Sequence, residues 1–343
     1  MPNHFKNPLF LLTVFIFSQG VSQTAVAYLD NMGKEFNKIA EETWDYTRAV
    51  AHGKKARQIE NQRTKMLEAN RDALIRIKNM PSYNSDGSFR DSTLRYLEMS
   101  YAVLNYDYSK IVDMEDISEQ SYDAMEAYML AQQKANEKLD AAFAVAAEAQ
   151  KSFAKKNNIN LTGTESKTEE KLDKAGEVFK FYNKIYLVFF KPYKQELYLI
   201  EAQSKGDINA LKQNQEALSK LSKEAKEKLR EINSYNGNTS LKTACAEVMD
   251  FYSMEADTKV PPLVDFYLKK ERYEKLKMAM DKKGKNSSNE EISDFNVAVN
   301  EYNKAINDYN SVNNELNKKR VIVLESWNNA VSKFLDKNVS KKK

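Results

Sequence analysis

Residues that interrupt helices are scarce in this chain. It contains nine glycines and six prolines among 343 residues, too few for the turns that a protein built from many short strands needs. Apolar residues recur three and four positions apart, as in Ile185, Val188 and Phe189, which is the spacing of one helix face. The sequence therefore predicts an all-α protein.

Three short patterns occur twice along the chain, in the same order. Leu-Asp-x-x-Gly-x-x-Phe begins at Leu29 and again at Leu172, and a Tyr-Asn pair followed by glycine begins at Tyr83 and again at Tyr235. The pattern Phe-x-x-Lys-Asn occurs near residue 153 and again near residue 334. Recurrence at a fixed order indicates internal duplication. We expect two tandem, duplicated, elongated units that resemble four-helix bundles.

The few helix-breaking residues divide each unit into four predicted helices. They predict helices over residues 24–52, 53–80, 90–112 and 118–157, and then over 169–203, 207–234, 239–282 and 290–336. The third helix of the second unit is expected to be interrupted at Pro261-Pro262, and Pro192 to kink the first. A polar stretch around Gly163 is the expected boundary between a first bundle, residues 23–162, and a second bundle, residues 163–343.

Residues 1–22 have the pattern of a secretory signal peptide. Lys6 precedes an apolar run from Leu9 to Phe17, and small residues stand at Gly20 and Ser22 before a cut at Gln23. The run is about 9 residues long, whereas a membrane-spanning helix needs about 20. We therefore expect export, cleavage, and no stable transmembrane segment in the mature chain.

The charge balance and the single cysteine exclude several classes of protein. Fifty-three basic and 49 acidic residues leave a net charge of +4, which does not favour nucleic acid or a membrane surface as a partner. Cys245 is the only cysteine, so no internal disulfide can form. Its apolar helical surroundings predict a small buried side chain rather than a reactive thiol.

Most catalytic and metal-binding motifs are missing from the sequence. Of the two histidines, His4 lies in the signal segment and His52 has no glutamate three positions before it, as a di-iron bundle site requires. Histidine-based zinc sites, haem attachment and glycine-rich phosphate loops are also absent from the sequence. We therefore predict no enzymatic activity, no cofactor and no metal.

One segment combines unusual residues around a glycine bend at Gly53. It contains an aromatic pair, the only histidine of the mature chain, and charged residues spaced to pair on one helix face. These candidate ligand or partner residues are Trp44, Tyr46, His52, Arg57, Glu60 and Arg63. The alternative is that the aromatic residues pack the bundle, the histidine caps the first helix and the ion pairs lie on the second. The second unit has no copy of this charged set, which keeps the functional interpretation open.

The same segment also resembles part of a known protein family. The pattern Trp-x-Tyr-x-x-Ala-x-Ala-His-Gly-Lys-x-Ala-Arg from Trp44 to Arg57, after a signal peptide and the Leu-Asp-x-x-Gly start at Leu29, resembles a family of bacterial surface proteins from spirochaetes. The likeness is clearest from Leu29 to Arg63. It implies an exported helical protein in the periplasm or on the surface of a Gram-negative bacterium, with no established activity or catalytic residues.

Taken together, the residues predict an exported, non-enzymatic binding or scaffold module of the bacterial envelope. Its expected partner is an unknown envelope protein or a small ligand. The main alternative is a small-ligand-binding protein with a site near the Gly53 bend or between the two units. A membrane-active helical protein is a third possibility, although the sequence has no amphipathic hairpin with a sizeable apolar tip.

Overall fold

A computed structural model describes residues 23–107, 114, 117–161 and 166–341. The predicted signal peptide lies outside these residues, as does the sequence at the expected boundary, 162–165. Within the described part the chain is helical, its helices pack together, and no strand forms. The prediction of an all-α, helical-bundle protein is confirmed.

Nine α-helices and three short helical turns make up the described chain, in an order close to that predicted. Two of the turns are π-helical, and we call them the first and second π turn. The first half contains α1 (Gln23–Ala51), α2 (Ala56–Lys78), α3 (Ser88–Ala102), the first π turn (Val103–Asp107) and α4 (Tyr122–Lys156). The second contains α5 (Lys167–Lys205), α6 (Ile208–Glu231), α7 (Ser240–Met254), the second π turn (Glu255–Lys259), α8 (Val260–Lys283), a 3₁₀ turn (Gly284–Asn286) and α9 (Asn289–Asn338).

The chain forms two compact units whose boundaries lie inside helices. Unit 1 extends to Tyr182 and also includes Ser332–Lys343, and unit 2 is Asn183–Val331. This division differs from the expected domains 23–162 and 163–343, because α5 and α9 are each long enough to contribute to both units. Glycine and polar residues mark where the chain turns, and such turns need not coincide with the limits of a packed core.

Unit 1 has its core between α1, α2, α3 and α4. The aromatic ring of Phe153 lies 5.6 Å from Tyr28, 5.3 Å from Tyr83 and 5.2 Å from Phe89, measured between ring centroids. Further along the same core, Met32, Ile39, Met66, Leu97 and Leu139 are fully buried. Aromatic and aliphatic side chains at helical spacing thus close this bundle.

Unit 2 has its core between the second part of α5 and helices α6 to α9. Phe189 on α5 stacks on Trp327 of α9 with ring centroids 4.5 Å apart, and Val248 and Tyr252 of α7 are fully buried. Cys245 is also fully buried, and burial raises the pKa of its thiol to about 12. The prediction that this cysteine is a buried apolar residue is confirmed.

The repeated Tyr-Asn pattern forms the same turn in both places. A single backbone bridge joins Tyr83 to Asp86 after α2, and another joins Tyr235 to Asn238 after α6. The asparagine of each turn has a left-handed backbone, with φ of 47° and 48°. A 15-residue helix and a π turn follow each time. Duplication of whole units stays a prediction, supported locally by these matching turns.

Pro261 and Pro262 have a different effect from the one expected. Pro261 and Pro262 lie in the first turn of α8, where a backbone N–H has no helical partner to lose. The expected interruption therefore takes the form of the second π turn, immediately before the prolines, and no loop separates α7 from α8. α5 continues through Pro192.

In the described regions, each helix is too short or too polar to cross a membrane.

Candidate functional site

Two of the six predicted site residues are packing residues of α1. Trp44 is 8% exposed and Tyr46 is 3% exposed. The guanidinium of Arg48 lies 5.8 Å from the centroid of the Trp44 ring, and the amine of Lys171 lies 5.9 Å from it. These cations favour the face of an indole ring. Trp44 therefore joins α1 to the start of α5 within unit 1.

His52 follows the last residue of α1 and is held by α9. Its Nδ1 lies 2.8 Å from Oδ1 of Asp336, and only 8% of the imidazole is exposed. Asp336 also accepts a hydrogen bond of 2.6 Å from Lys341, which holds the pKa of this carboxyl below its usual value. Nε2 of His52 and Nε of Arg48 are buried and have no hydrogen-bond partner among the described residues.

The three charged residues of α2 are only partly connected. Arg63 donates two hydrogen bonds to Glu60, at 2.7 and 2.9 Å, so this predicted pair is confirmed. Arg63 also donates to the carbonyl of Leu104, at 3.3 Å. Arg57 is exposed and forms no ion pair with any described residue, so the predicted pair between Arg57 and Glu60 is wrong.

None of the six predicted residues lines the cavity described in the core of unit 1. That cavity has a volume of about 20 Å³, enough for about one water molecule. It lies elsewhere, between residues that include Met32, Phe89 and Phe143. The aromatic residues and His52 are packed against helices of their own unit, and Arg57 and Glu60 lie on the surface. The geometry favours the structural interpretation of this segment.

A charged cluster in unit 2 was not predicted. Arg320 of α9 donates hydrogen bonds to Glu196 of α5 and, at 2.6 Å, to Glu255 of the second π turn. Glu196 is 0% exposed and Glu255 is 1% exposed. A third hydrogen bond joins Arg320 to Asn317, at 2.6 Å, and the guanidinium lies 5.8 Å from the centroid of the Phe251 ring. We call Glu196, Arg320 and Glu255 the buried triad.

The buried triad contains more negative than positive charge. Burial and the charge of Glu196 together raise the pKa of Glu255 to about 8, although Arg320 opposes the rise. One oxygen of each carboxylate, Oε2, receives no hydrogen bond in the described chain. The hydroxyl of Tyr252 is buried near Glu196, and burial and the charge of Glu196 hold its pKa well above the usual value.

The triad was missed because its members are far apart in sequence. Arg320 is 124 positions from Glu196 and 65 positions from Glu255, and each residue is of a type that usually lies on the surface. Only for Glu196 does the sequence contain a pattern that could have predicted its burial. It lies seven positions after Phe189 and three before Leu199, both buried, so it occupies the apolar face of its helix.

The far part of the α8–α9 hairpin is a second unusual feature. None of the residues from 267 to 297 is buried, and we call this stretch the hairpin segment. Its two helices contact each other through aromatic rings, with Tyr273 6.0 Å from Phe295 and 4.9 Å from Tyr302 between centroids. Outside this seam, four apolar side chains are 40–63% exposed: Leu268, Met278, Ile292 and Val297.

An open groove of about 390 Å³ lies along the hairpin segment. Leu268 and Leu276 supply its apolar surface. Its charged lining has both signs and consists of Glu271, Arg272, Lys275 and Asp294. The groove is open and has a charged lining, whereas a pocket that encloses a small molecule is concave and mostly apolar.

Comparison with protein-family models, curated proteins and solved structures gives no match. Among the described residues, no group of three or more histidine, cysteine, aspartate or glutamate side chains could hold a metal ion. The fold and the two features in unit 2 define the molecule as a helical-bundle protein with a buried carboxylate–arginine triad and an exposed helical hairpin.

Proposed function

We propose that this protein is an exported, non-enzymatic binding or scaffold module of the bacterial envelope, and that it binds another protein through the hairpin segment. Export rests on the signal-peptide pattern before Gln23. The resemblance around Trp44 supports a location in the periplasm or on the cell surface. The helical bundle provides a rigid support for a binding surface.

The exposed apolar side chains of the hairpin segment carry the proposal. Beyond Tyr267, which contacts the end of α5, the two helices of the hairpin segment meet along an aromatic seam, and two-helix pairs gain little stability by themselves. Here Leu268, Met278, Ile292 and Val297 remain 40–63% exposed outside the seam. Several exposed apolar side chains on one element, with charged residues around them, are typical of a site that another protein covers.

A macromolecular partner fits this surface better than a small ligand. The helical part from residue 267 to Lys283 alone is about 25 Å long at 1.5 Å per residue. Its groove is open along one side and has charges of both signs, which suits helix-in-groove recognition. Met278, 63% exposed, is flexible and adapts to the shape of a partner.

A paired set of substitutions on α9 tests the proposal. Ile292→Lys with Val297→Lys places two charges on the hairpin segment, whereas Val321→Lys with Ile322→Lys places two charges on exposed positions of the same helix outside it. The readout is the sedimentation coefficient of the native protein in detergent-free envelope extracts. We expect the first pair to release the protein from a larger complex and the second pair to leave the complex intact. Identical sedimentation of both variants and the wild type would contradict the proposal.

Small-ligand binding near the Gly53 bend is the second candidate. Nε of Arg48 and Nε2 of His52, which are buried and have no partner in the described chain, favour it, because the arginine N–H can donate a hydrogen bond to an anionic group and the imidazole nitrogen can donate or accept one. Thermal-shift screening with small carboxylates and phosphates tests it. Stabilisation of the wild type but not of the His52→Asn variant would support this candidate, and equal shifts in both would remove it.

A further inference from the structure

The buried triad contains two acids and one base in the interior of unit 2. Glu196 and Glu255 each have an oxygen within hydrogen-bonding distance of Arg320, and both carboxylate side chains are at most 2% exposed. The side chain of Arg320 is 17% exposed. If both acids are ionised, the triad has a net charge of −1.

A net buried charge is strongly disfavoured in a protein interior. Binding one proton would neutralise the triad and provide a donor for one of the two unpaired carboxylate oxygens, Oε2 of Glu196 and of Glu255. The two acids interact, so such a proton belongs to the pair rather than to one residue.

The other charged groups next to the second π turn are already paired. Asp257 accepts hydrogen bonds from Ser219 of α6, at 2.6 Å, and forms an ion pair of 2.9 Å with Lys223 of α6. Lys259 pairs with Glu315 of α9, at 2.6 Å. The titratable groups that face the triad itself are Glu196 and Tyr193 on α5, Tyr252 on α7, Glu255 on the π turn and Arg320 on α9.

We infer that Glu196 and Glu255, beside Arg320, form a binding site for a single proton, and that the bound proton holds the second π turn against α5 and α9. Loss of the proton leaves two like charges next to each other and next to one guanidinium. The π turn then separates from α5, because Glu255 is its first residue and Glu196 lies on α5. A π-helical segment at this position agrees with such a role, since these segments are frequent at functional sites. The raised pKa of Glu255, about 8, places the transition near neutral pH.

Infrared spectroscopy of the mature full-length protein tests the site directly. A buried protonated carboxyl group has a C=O stretching band distinct from that of a carboxylate. We expect this band at pH 6, its loss as the pH rises through about 8, and its absence in Glu255→Gln and in Glu196→Gln. The control is Glu325→Gln, an exposed position on α9 close to Arg320, which should keep the band.

Amide hydrogen exchange in the wild-type protein gives a second readout that needs no variant. After correction for the intrinsic pH dependence of exchange, protection of residues Glu255–Lys259 should fall as the infrared band disappears. The absence of a protonated carboxyl band in the wild type at pH 6, or its persistence in both glutamine variants, would overturn the inference. Constant protection of the π turn between pH 6 and pH 9 would overturn the coupling to its conformation.

Discussion

Arg320 is the residue on which the interior of unit 2 depends most. Its guanidinium contacts two carboxylates that have almost no access to solvent. Surface ion pairs, such as Arg272 with Glu301, join side chains that are both more than 40% exposed. Exposed pairs contribute little to stability because water screens them. The buried triad and the surface pairs therefore respond differently to substitution.

Replacement of Arg320 should destabilise the protein strongly. Arg320→Met leaves Glu196 and Glu255 buried without a cation, and loss of one partner of a buried ion pair costs about 3–5 kcal/mol. The free energy of unfolding, measured by urea denaturation at pH 7, should fall by that amount. Arg272→Met is the matched control on the surface and should change it by about 0–1 kcal/mol. Equal effects of the two substitutions would contradict the special position of Arg320.

The titration of Glu255 predicts a direction for the pH dependence of stability. Its pKa is raised from 4.5 to about 8 in the folded protein, so the folded state binds the proton more tightly than the unfolded state. The resulting stabilisation is complete below pH 4.5 and is lost as the pH rises to about 8. For one proton, the slope approaches a loss of about 1.4 kcal/mol per pH unit between these values.

Urea denaturation of the wild type and of Glu255→Gln between pH 5 and pH 8.5 measures this contribution. We expect the difference in unfolding free energy between the two proteins to shrink or change sign as the pH rises, because only the wild type loses the proton. Glu325→Gln should follow the wild type over the whole range. A constant difference between the wild type and Glu255→Gln would show that Glu255 does not titrate in this interval.

At the scale of the elements, two glycines end helices in the same way. Gly53 after α1 and Gly206 after α5 have φ of 57° and 66°. After α1, Lys54 donates to the carbonyl of Ala49, and after α5, Asp207 donates to that of Ala202. These are the bonds of a helix that ends at a left-handed residue, a conformation that favours glycine. The surroundings of the two glycines differ, because Gly206 lies against the ring of Tyr267 and Gly53 has open space.

Alanine substitution should therefore cost more at Gly206 than at Gly53. Both changes place a side chain at positive φ, which costs about 1–2 kcal/mol. At Gly206 the new Cβ would also lie 3.3 Å from Cε1 of Tyr267, whose hydroxyl donates a hydrogen bond to the carbonyl of Gln203. Thermal denaturation should show a lower Tm for Gly206→Ala than for Gly53→Ala. The reverse order would contradict this account of the α5–α6 connection.

Local patterns predicted the helices well and the contacts between them poorly. The observed limits of α1 and α6, Gln23–Ala51 and Ile208–Glu231, are close to the predicted ones because apolar spacing and glycine act within a few residues. Both π turns were missed, since no residue type marks them. In the predicted site, the burial of Trp44 and the partner of His52 depend on α5 and α9, which a local pattern does not contain.

At the scale of the whole molecule, two features of unit 2 direct the functional interpretation. The interior holds an ionisable triad, and the hairpin segment, residues 267–297, has no buried side chain. The sequence predicted the helical fold, but the exposure of Met278 or Ile292 could not be read from it, because the same spacing of apolar residues occurs on buried helices. Which apolar stripes meet a partner helix depends on the packing of the complete unit.

Photo-crosslinking at matched positions tests the proposed function most directly. Met278 in the hairpin segment and Ile322 on α9 outside it are both 63% exposed, so a photoreactive benzoylphenylalanine at either position is equally accessible in the free protein. If the hairpin segment is the binding surface, irradiation of cells that export the protein should give a discrete crosslinked product from position 278 and none from position 322. Products of equal yield from both positions, or none from position 278, would contradict the proposal.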